Sequence, residues 1–297
     1  MNTEDFRKHA HQIVDWIADY YQTIEHYPVK SQVKPGEIKG QLPPKAPENG
    51  ESFDQIISDF NHIIMPGISH WQHPSWFAYF PANSSPASVL GEMLTAGLGV
   101  QGMIWDTSPA ATELEDVIMA WLREMCALPE DFTGVIQDTA STATLCALLS
   151  AREKATDFQA NKSGLNEKLR IYASAHTHSS IEKGVKIAGI GKENLICIAT
   201  DENFSIIPHE LEKSIKDDIA NGYTPCCVVG TIGTTSSMAI DPIYELGEIC
   251  KKHSVWLHVD AAFAGTAAIV PEYRHLFRGV EMADSDRKST RLNSSHG

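Results

Sequence analysis

The stretch VWLHVDAAFAG, from Val255 to Gly265, places a single acidic residue, Asp260, at the end of an apolar run that is typical of a buried strand. Small residues predominate directly after the acid. A carboxylate that is buried without a partner costs several kcal/mol, so we expect a positively charged group to face Asp260. The small residues indicate that this group is flat or bulky and approaches the backbone closely.

The composition is that of an acidic globular chain. It has 297 residues, of which 42% are hydrophobic, and a formal net charge of -14 at pH 7. It lacks the basic surface that nucleic-acid phosphates require, and no apolar run approaches the roughly 20 residues that span a bilayer. The N-terminus has no signal-peptide core, and the six cysteines show no zinc-site spacing. We therefore predict a soluble, cytoplasmic protein with reduced thiols that binds neither nucleic acid nor membrane.

The first third of the chain is predicted to be helical. Thr3 can cap a first helix, whose apolar residues recur at helical spacing until near Pro28. Ser52 opens a capping box, and Ser108 caps a further helix.

Short apolar runs then alternate with helical patterns. The runs are GVIQ, RIYAS, NLICIAT, CCVVGTIG and VWLHVDAAFAG, and the helices between them are predicted over 141–155, 179–188, 208–220 and 242–252. Such alternation predicts an α/β fold built from βαβ units around a parallel sheet, with ligands at the carboxyl ends of the strands.

Candidate ligand-binding residues fall at these strand ends. Thr139, Ala140 and Ser141 are placed at a helix N-terminus, where free backbone N–H groups and the helix dipole bind phosphate; ordinary helix capping is the alternative. His176 and His178 follow RIYAS. They could ligate a metal, but no acidic or cysteine pattern completes such a site. A hydrogen-bonded loop histidine and an imidazole stacked on a flat ring are the other interpretations.

The run that ends in Gly230 to Thr235 is typical of a tight turn or of close approach by a ligand. Together, a phosphate cradle, an imidazole, a wall of small residues and a carboxylate suit a phosphorylated pyridinium. We therefore predict pyridoxal 5′-phosphate (PLP) as the cofactor, with Asp260 paired to its ring N–H⁺, and no metal.

Several ordered motifs carry a family resemblance. They include IIMPGISHWQHPSWFAYFPA, SPAATELE, AHTHSSIEK, GTIGTTS and WLHVDAAFAG. With them the chain resembles the group II PLP-dependent amino-acid decarboxylases, of the aromatic-L-amino-acid decarboxylase type, over residues 1–285.

The resemblance implies a homodimer with the aspartate aminotransferase-like fold, fold type I. Residues 1–105 would form an N-terminal helical segment that wraps the partner subunit and carries a substrate-pocket loop. Residues 106–285 would form an incomplete PLP-binding large domain.

The resemblance also implies roles for individual residues. Asp260 would bind the pyridine nitrogen, His178 would stack on the ring, and these two would be catalytic. The other implied cofactor contacts are Thr139, Ala140 and Ser141 at the phosphate, Thr235 near His178, and Ala262 against the ring. The implied substrate-pocket residues are Trp71, Tyr79, Phe80, Ala82, Gln101 and Met103.

Some positions depart from the animal enzymes. Ala82 and Asn83 stand where those carry a Thr-Ala pair, and Gln101 and Met103 stand where those carry bulky apolar residues that reach into the neighbouring subunit's pocket. A polar Gln101 bears on the choice of substrate more than on the reaction.

The predicted reaction is the decarboxylation of an L-amino acid to an amine and CO₂. The aromatic run from Trp71 to Phe80 favours an aromatic substrate such as tryptophan, tyrosine, DOPA or phenylalanine; the alternative is that these rings form core and dimer contacts. Other fold-type-I chemistry, by an aminotransferase or aldolase, is a second hypothesis. A non-catalytic dimerising homologue is a third.

The end of the chain departs from the family. The resemblance implies a strand after Ser285 and a Schiff-base lysine about seven residues on, but Asp286 to His296 reads DRKSTRLNSSH, in which Lys288 is the only lysine. This string is the translation of DNA that resembles a widely used sequencing-library adapter. We therefore predict that residues 286–297 are a non-native tail, and that the chain as written is inactive for lack of the lysine.

Overall fold

The chain divides into two compact units in a computed structural model, which describes residues 1–79 and 84–288. The first unit is Met1–Pro86, and the second begins at Ala87. The functional partition predicted between residues 105 and 106 concerns contacts with a partner subunit and stays a prediction. Within the two described ranges, no helix is long and apolar enough to cross a membrane.

The first unit is built from helices and turns. They are α1 (Thr3–Thr23), α2 (Glu37–Gln41) and α3 (Phe53–Asp59), with a π-helical turn at Phe60–Ile64 and 3₁₀ turns at Ile24–His26 and Met65–Gly67. The prediction that Thr3 caps α1 is wrong by one residue. Asn2 is extended and its Oδ1 accepts a hydrogen bond from the Asp5 N–H at 2.8 Å, so Thr3 is already helical.

Aromatic rings fill the interior of the first unit. The Tyr20 hydroxyl lies 2.7 Å from Nδ1 of His70, which is 1% exposed, and the rings of Tyr27 and Trp16 pack against Tyr20. Burial raises the pKa of Tyr20 and lowers the pKa of His70, so both groups are kept neutral. These contacts join α1 to the loop that carries the predicted pocket aromatics.

The second unit contains the sheet. Its helices are α4 (Pro86–Leu98, which starts at the boundary), α5 (Pro109–Met125), α6 (Ala140–Ala155), α7 (Ala160–Ser163), α8 (Ser180–Ile187), α9 (Pro208–Ala220) and α10 (Ile243–His253). Its strands are β1 (Leu169–Ser174), β2 (Leu195–Ile198), β3 (Thr224–Thr231), β4 (Trp256–Ala261) and β5 (Ser285–Lys288). Short 3₁₀ turns occupy Trp105–Thr107, Lys192–Asn194, Gly265–Ile269, Pro271–Phe277 and Val280–Met282.

The five strands are all parallel, in the order β2-β1-β3-β4-β5. The predicted parallel α/β sheet is therefore confirmed. The run GVIQ is not a strand, contrary to the prediction: residues 134–137 have no regular secondary structure, and Val135 and Ile136 are each 62% exposed. A strand forms only against a partner, and no described strand lies beside this run.

Helices cover both faces of the sheet. On one face, α6 and α8 pack their apolar residues against alternate residues of β1 and β3, such as Ile171 and Val229. On the other face, α9 and α10 pack against a second set of apolar residues, which includes Val228 of β3 and Leu257 of β4. This three-layer arrangement follows from parallel strands that are apolar on both sides.

The strand order creates a switch point between β1 and β3. The chain leaves β1 for β2 on one side, and it then leaves β2 for β3 on the other side of β1. Connections that diverge in this way open a crevice at the carboxyl ends of the two strands, which is where ligands bind in open α/β sheets.

One difference concerns the predicted tail. Its first three residues, 286–288, belong to β5, which pairs with β4 from Ser285 to Lys288. Asp284 joins the chain to β4 just before this pairing begins. Its backbone N–H donates to the Leu257 carbonyl, and its Oδ2 accepts from the Leu257 N–H. Whether these residues are native stays a prediction, and residues 289–297 lie outside the described part.

We expect Gly233→Ala to destabilise the second unit by about 2–4 kcal/mol. Gly233 has φ +84°, and a Cβ there would lie 3.0 Å from Cβ of Ala264, so both strain and crowding result. Gly222→Ala is the matched control, since its φ is +78° with nothing within 4 Å; it should cost only about 1 kcal/mol. Urea unfolding midpoints measure both, and equal losses would contradict the packing of the β3 turn against Ala264.

Candidate active site

The N-terminus of α6 offers free backbone donors at the predicted phosphate position. Thr139 is the cap, and its Oγ1 accepts from the Thr142 N–H at 3.1 Å. The N–H groups of Ala140 and Ser141 begin the helix and have no acceptor among the described residues. Capping and phosphate binding are therefore compatible here, because the cap uses a different N–H group.

His178 lies in the turn between β1 and α8. Its Nδ1 lies 2.9 Å from Oγ of Ser180 and accepts the Ser180 N–H at 3.2 Å. Burial lowers the pKa of His178; the Asp260 carboxylate opposes this effect, and the cations of Arg287 and Lys183 add to it. The imidazole is thus neutral and held by one nitrogen, and it lies within electrostatic reach of Asp260.

Asp260 is the penultimate residue of β4, close to the strand end at which it was predicted, and is 3% exposed. Its Oδ1 accepts the Ala262 N–H at 3.1 Å and also accepts a hydrogen bond from Nη2 of Arg287. The expected cation therefore faces the carboxylate, but it is a guanidinium of this chain. Sequence reasoning missed Arg287 because it assigned residues 286–297 to a tail outside the fold.

His258 is a second buried histidine beside this pair. Its Nδ1 lies 2.9 Å from Oγ of Ser285, and its Nε2 is buried without a partner in the part of the chain that the structure describes. Burial lowers the pKa of His258 to about 4. The position could have been found from the sequence, since His258 precedes Asp260 by two residues and so shares its face of β4.

A cavity of about 1000 Å³ opens between the start of α6 and the β4–β5 edge. Its lining includes Thr139, Ala140, His258, Arg287 and Lys288. It thus brings together the N-terminus of α6, where phosphate binding is predicted, and Arg287, which pairs with Asp260. His178 and Asp260 are not among the residues that line it.

The loop after β3 carries Thr235, which is exposed. Asp241 anchors this loop: its carboxylate accepts the N–H of Thr231 at 2.7 Å and of Ile206 at 2.8 Å. Burial raises the pKa of Asp241 to about 6. Sequence reasoning missed this residue, because its two partners are backbone groups that lie elsewhere in the sequence. Ala262 is half-buried directly beyond Asp260.

The predicted pocket aromatics of the first unit form a stack. The ring of Trp71 lies 4.8 Å from Trp76 and 5.9 Å from Tyr79, with near-parallel planes in both pairs. Tyr79 and Phe77 are largely exposed. Phe80 and Ala82 lie outside the described residues.

Gln101 and Met103 lie in the second unit, between α4 and α5, and both are exposed. The Thr107 hydroxyl donates to the carbonyl of Gln101 at 2.7 Å and so fixes the backbone of this loop. Neither residue is among those that line the cavity beside β5. Their predicted role at a partner's pocket therefore stays a prediction.

Thiols and metal-binding groups contribute nothing further. All six cysteines, each within the described ranges, are free. No group of three or more His, Cys, Asp or Glu side chains in residues 1–79 and 84–288 is arranged to hold a metal ion.

Comparison with known proteins identifies the family. Residues 35–290 match the pyridoxal-dependent decarboxylase conserved domain. The chain belongs to this family. It is 47% identical to phenylacetaldehyde synthase of Arabidopsis thaliana and 46% identical to tryptophan decarboxylase 2 of Oryza sativa subsp. japonica, over 96% of this chain and 59% of each relative.

A solved relative has the same fold. The crystal structure of Catharanthus roseus tryptophan decarboxylase in complex with L-tryptophan superposes with a TM-score of 0.93 at 43% identity, covering 98% of this chain and 62% of that one. The chain thus spans about three-fifths of the length of the relatives it matches.

The residues present fit PLP at its phosphate and ring faces but not at its nitrogen. Free N–H groups at Ala140 and Ser141 suit a phosphate, and a neutral His178 suits a ring face. Asp260 would suit a pyridinium, but its Oδ1 is already bound to Arg287 in this chain.

We expect His258 to make stability fall as the pH falls. Its pKa is about 4 in the folded chain against about 6.5 when unfolded. The unfolded state therefore binds the extra proton between these values, and stability drops by about 1.4 kcal/mol per pH unit. His258→Asn keeps an amide near Ser285 and should remove this slope.

The control is His209→Asn, since the His209 side chain is 77% exposed on α9. Urea unfolding from pH 7 to pH 4 measures how the free energy of unfolding changes with pH in the unchanged chain, His258→Asn and His209→Asn. A slope that is the same for His258→Asn as for the unchanged chain would contradict a neutral, buried His258.

Proposed function

We propose that the whole protein is a PLP-dependent carboxy-lyase that converts an aromatic L-amino acid to an amine and CO₂. The observation that carries this proposal is the buried Asp260 at the carboxyl end of β4, within electrostatic reach of His178 and next in the sheet to the switch point. Family membership supports the same chemistry.

Each part of the site has a task in this proposal. The N–H groups of Ala140 and Ser141 hold the phosphate, and His178 presents a neutral imidazole to the ring face. When bound, PLP accepts the electron pair that decarboxylation leaves behind. Asp260 keeps the ring nitrogen protonated, which is the state in which the ring withdraws electrons best.

An aromatic substrate is favoured by two observations. The relatives named above include a tryptophan decarboxylase and a solved complex with L-tryptophan. In this chain, the ring of Trp71 is near-parallel to those of Trp76 and Tyr79, and the Tyr79 side chain is exposed enough to stack on another ring. We propose that Gln101 and Met103 adjust this preference from the partner subunit.

An aldehyde-forming reaction is a second candidate. The chain is as similar to a phenylacetaldehyde synthase as to the decarboxylases. Product analysis must therefore separate amine from aldehyde, and both from the keto acid that an aminotransferase would give.

We propose a homodimer. Neither α4 nor α5 buries any residue, and their exposed apolar side chains include Leu94, Leu98, Leu114 and Trp121. An apolar surface of this extent is typical of a protein interface. We place the protein in the cytoplasm, consistent with its free thiols.

We further propose that residues 286–297 are not native and that the natural chain continues to a lysine that binds the cofactor. The chain as written would then be inactive. Sequencing the gene or transcript beyond the Ser285 codon tests this directly; a genomic DRKSTRLNSSH would contradict it.

In the full-length protein, we expect Asp260→Ala to lower kcat/KM for decarboxylation by two orders of magnitude or more, because the ring nitrogen loses its counter-charge. Asp260→Glu should lose less, since it keeps a carboxylate. Amine, aldehyde, keto acid and CO₂ are measured with tryptophan, tyrosine and glutamate. Near-normal turnover by Asp260→Ala would remove the residue from the mechanism, and keto acid as the main product would contradict a carboxy-lyase.

For the dimer, we expect Leu94→Lys/Leu98→Lys to shift the full-length protein toward monomer, because two charges would be buried at the interface. Lys213→Glu, at an exposed position of α9, is the control and should leave the dimer intact. Sedimentation velocity reads both. A double variant that stays dimeric would place the interface elsewhere.

A further inference from the structure

A hairpin of residues 200–206 follows β2 and holds Phe204 in a strained conformation. The turn is closed by Asp201, whose Oδ1 accepts the N–H groups of Asn203 and Ser205 at 2.9 Å each. Phe204 has φ +64°, in the left-handed region that bulky side chains rarely adopt. Glycine would adopt this backbone conformation without strain.

Burial in the core does not explain why a phenylalanine stands at this position. The Phe204 side chain is 46% exposed, and the apolar clusters on the two faces of the sheet do not include it. Its ring packs instead on the imidazole of His176, with the ring centroids 4.7 Å apart and the planes inclined at 58°. A backbone outlier that serves a contact outside the core points to a role at a functional site.

His176 belongs to the short turn that carries His178. This turn joins β1, which ends at Ser174, to α8, which begins at Ser180. The Oγ of Ser174 accepts the His176 N–H at 3.2 Å, and at the other end Nδ1 of His178 accepts the Ser180 N–H at 3.2 Å. These bonds hold the turn from within, and the ring of Phe204 adds a contact from a different loop.

The hairpin that carries Phe204 is itself anchored to the loop after β3. The Oγ of Ser205 donates to the Ile240 carbonyl at 2.6 Å, and the Ile206 N–H donates to the Asp241 carboxylate at 2.8 Å. Because these two residues follow Phe204 directly, the ring projects from a fixed base. The loops that follow β1, β2 and β3 are thereby joined at the carboxyl edge of the sheet.

We infer that Phe204 is a positioning residue for His178. Its left-handed backbone aims the ring at His176, and this contact holds the β1 turn at the place where His178 meets the ring face of the cofactor. The inference rests on the proposed function. Phe204 acts through His176, so its loss should disturb how the cofactor is held more than it disturbs folding.

Four variants of the full-length protein test the inference. Phe204→Gly removes both the ring and the strain, Phe204→Tyr keeps an aromatic ring, and His176→Ala removes the other half of the contact. Phe158→Gly is the matched control: Phe158 also has a left-handed φ, +58°, and is 62% exposed, but it lies between α6 and β1, at the amino edge of the sheet.

Three measurements are made on each variant. Urea unfolding gives the stability, visible circular dichroism of bound PLP reports how the chain holds the cofactor ring, and amine formation from tryptophan gives kcat and KM. The double variant His176→Ala/Phe204→Gly completes a mutant cycle, in which residues that act through one contact give non-additive losses.

We expect the two glycine variants to change the urea midpoint about equally, since each relieves the same strain and loses a partly exposed ring. Phe204→Gly and His176→Ala should weaken the circular dichroism of PLP and lower kcat by about tenfold or more, with little change in KM, because a misplaced group slows the reaction more than it weakens binding. Phe204→Tyr and Phe158→Gly should behave as the unchanged protein does, and the double variant should lose no more than the worse single variant.

The inference is overturned by a folded Phe204→Gly whose PLP signal and kcat are unchanged, or by additive losses in the double variant. Equal losses of kcat in Phe158→Gly also overturn it, since they would show a general effect of stability. If Phe204→Gly does not fold, an unchanged PLP signal in His176→Ala overturns the inference by itself. The proposed function fails separately, and the inference with it, if the unchanged full-length protein binds no PLP.

Discussion

A carboxylate buried at the end of a parallel strand must have a positive partner, and the candidate site is organised around this constraint. Asp260 is 3% exposed, and removing its partner would leave an uncompensated charge in the core. In the proposed function, the small residues after it, the neutral His178 and the free N–H groups at the start of α6 receive a flat, phosphorylated cation. In this chain the guanidinium of Arg287 meets the same requirement.

The strand order explains how residues far apart in sequence come to one edge. In the order β2-β1-β3-β4-β5 every strand is parallel, so the loops that follow β1, β3 and β4 all emerge at the carboxyl edge. His178, Thr235 and Ala262 lie on these loops. The Asp241 carboxylate accepts the N–H groups of Thr231 and Ile206 and so anchors the loop that follows β3.

Much of this was predictable because local patterns agree with the global fold. Alternating apolar runs and helices predicted the parallel sheet, and Thr139 and Asp260 were expected where they lie. The predictions failed where a partner decides the outcome. GVIQ has strand propensity, but no strand in the described part of the chain lies beside it. Ser285–Lys288 is too polar to predict a strand, yet it pairs with β4, and Arg287 meets Asp260 through backbone register and charge. The Asp241 anchor depends on two backbone groups distant in sequence, which no local pattern encodes.

The most direct measurement of the central claim is the protonation state of the cofactor's ring nitrogen in the full-length protein. Nitrogen-15 magnetic resonance of ring-labelled PLP should show a protonated nitrogen above the pH at which free PLP loses this proton, and Asp260→Asn should abolish it. A ring nitrogen that is unprotonated in the unchanged protein, or one that stays protonated in Asp260→Asn, would contradict the assignment of Asp260 as the group around which the site is built.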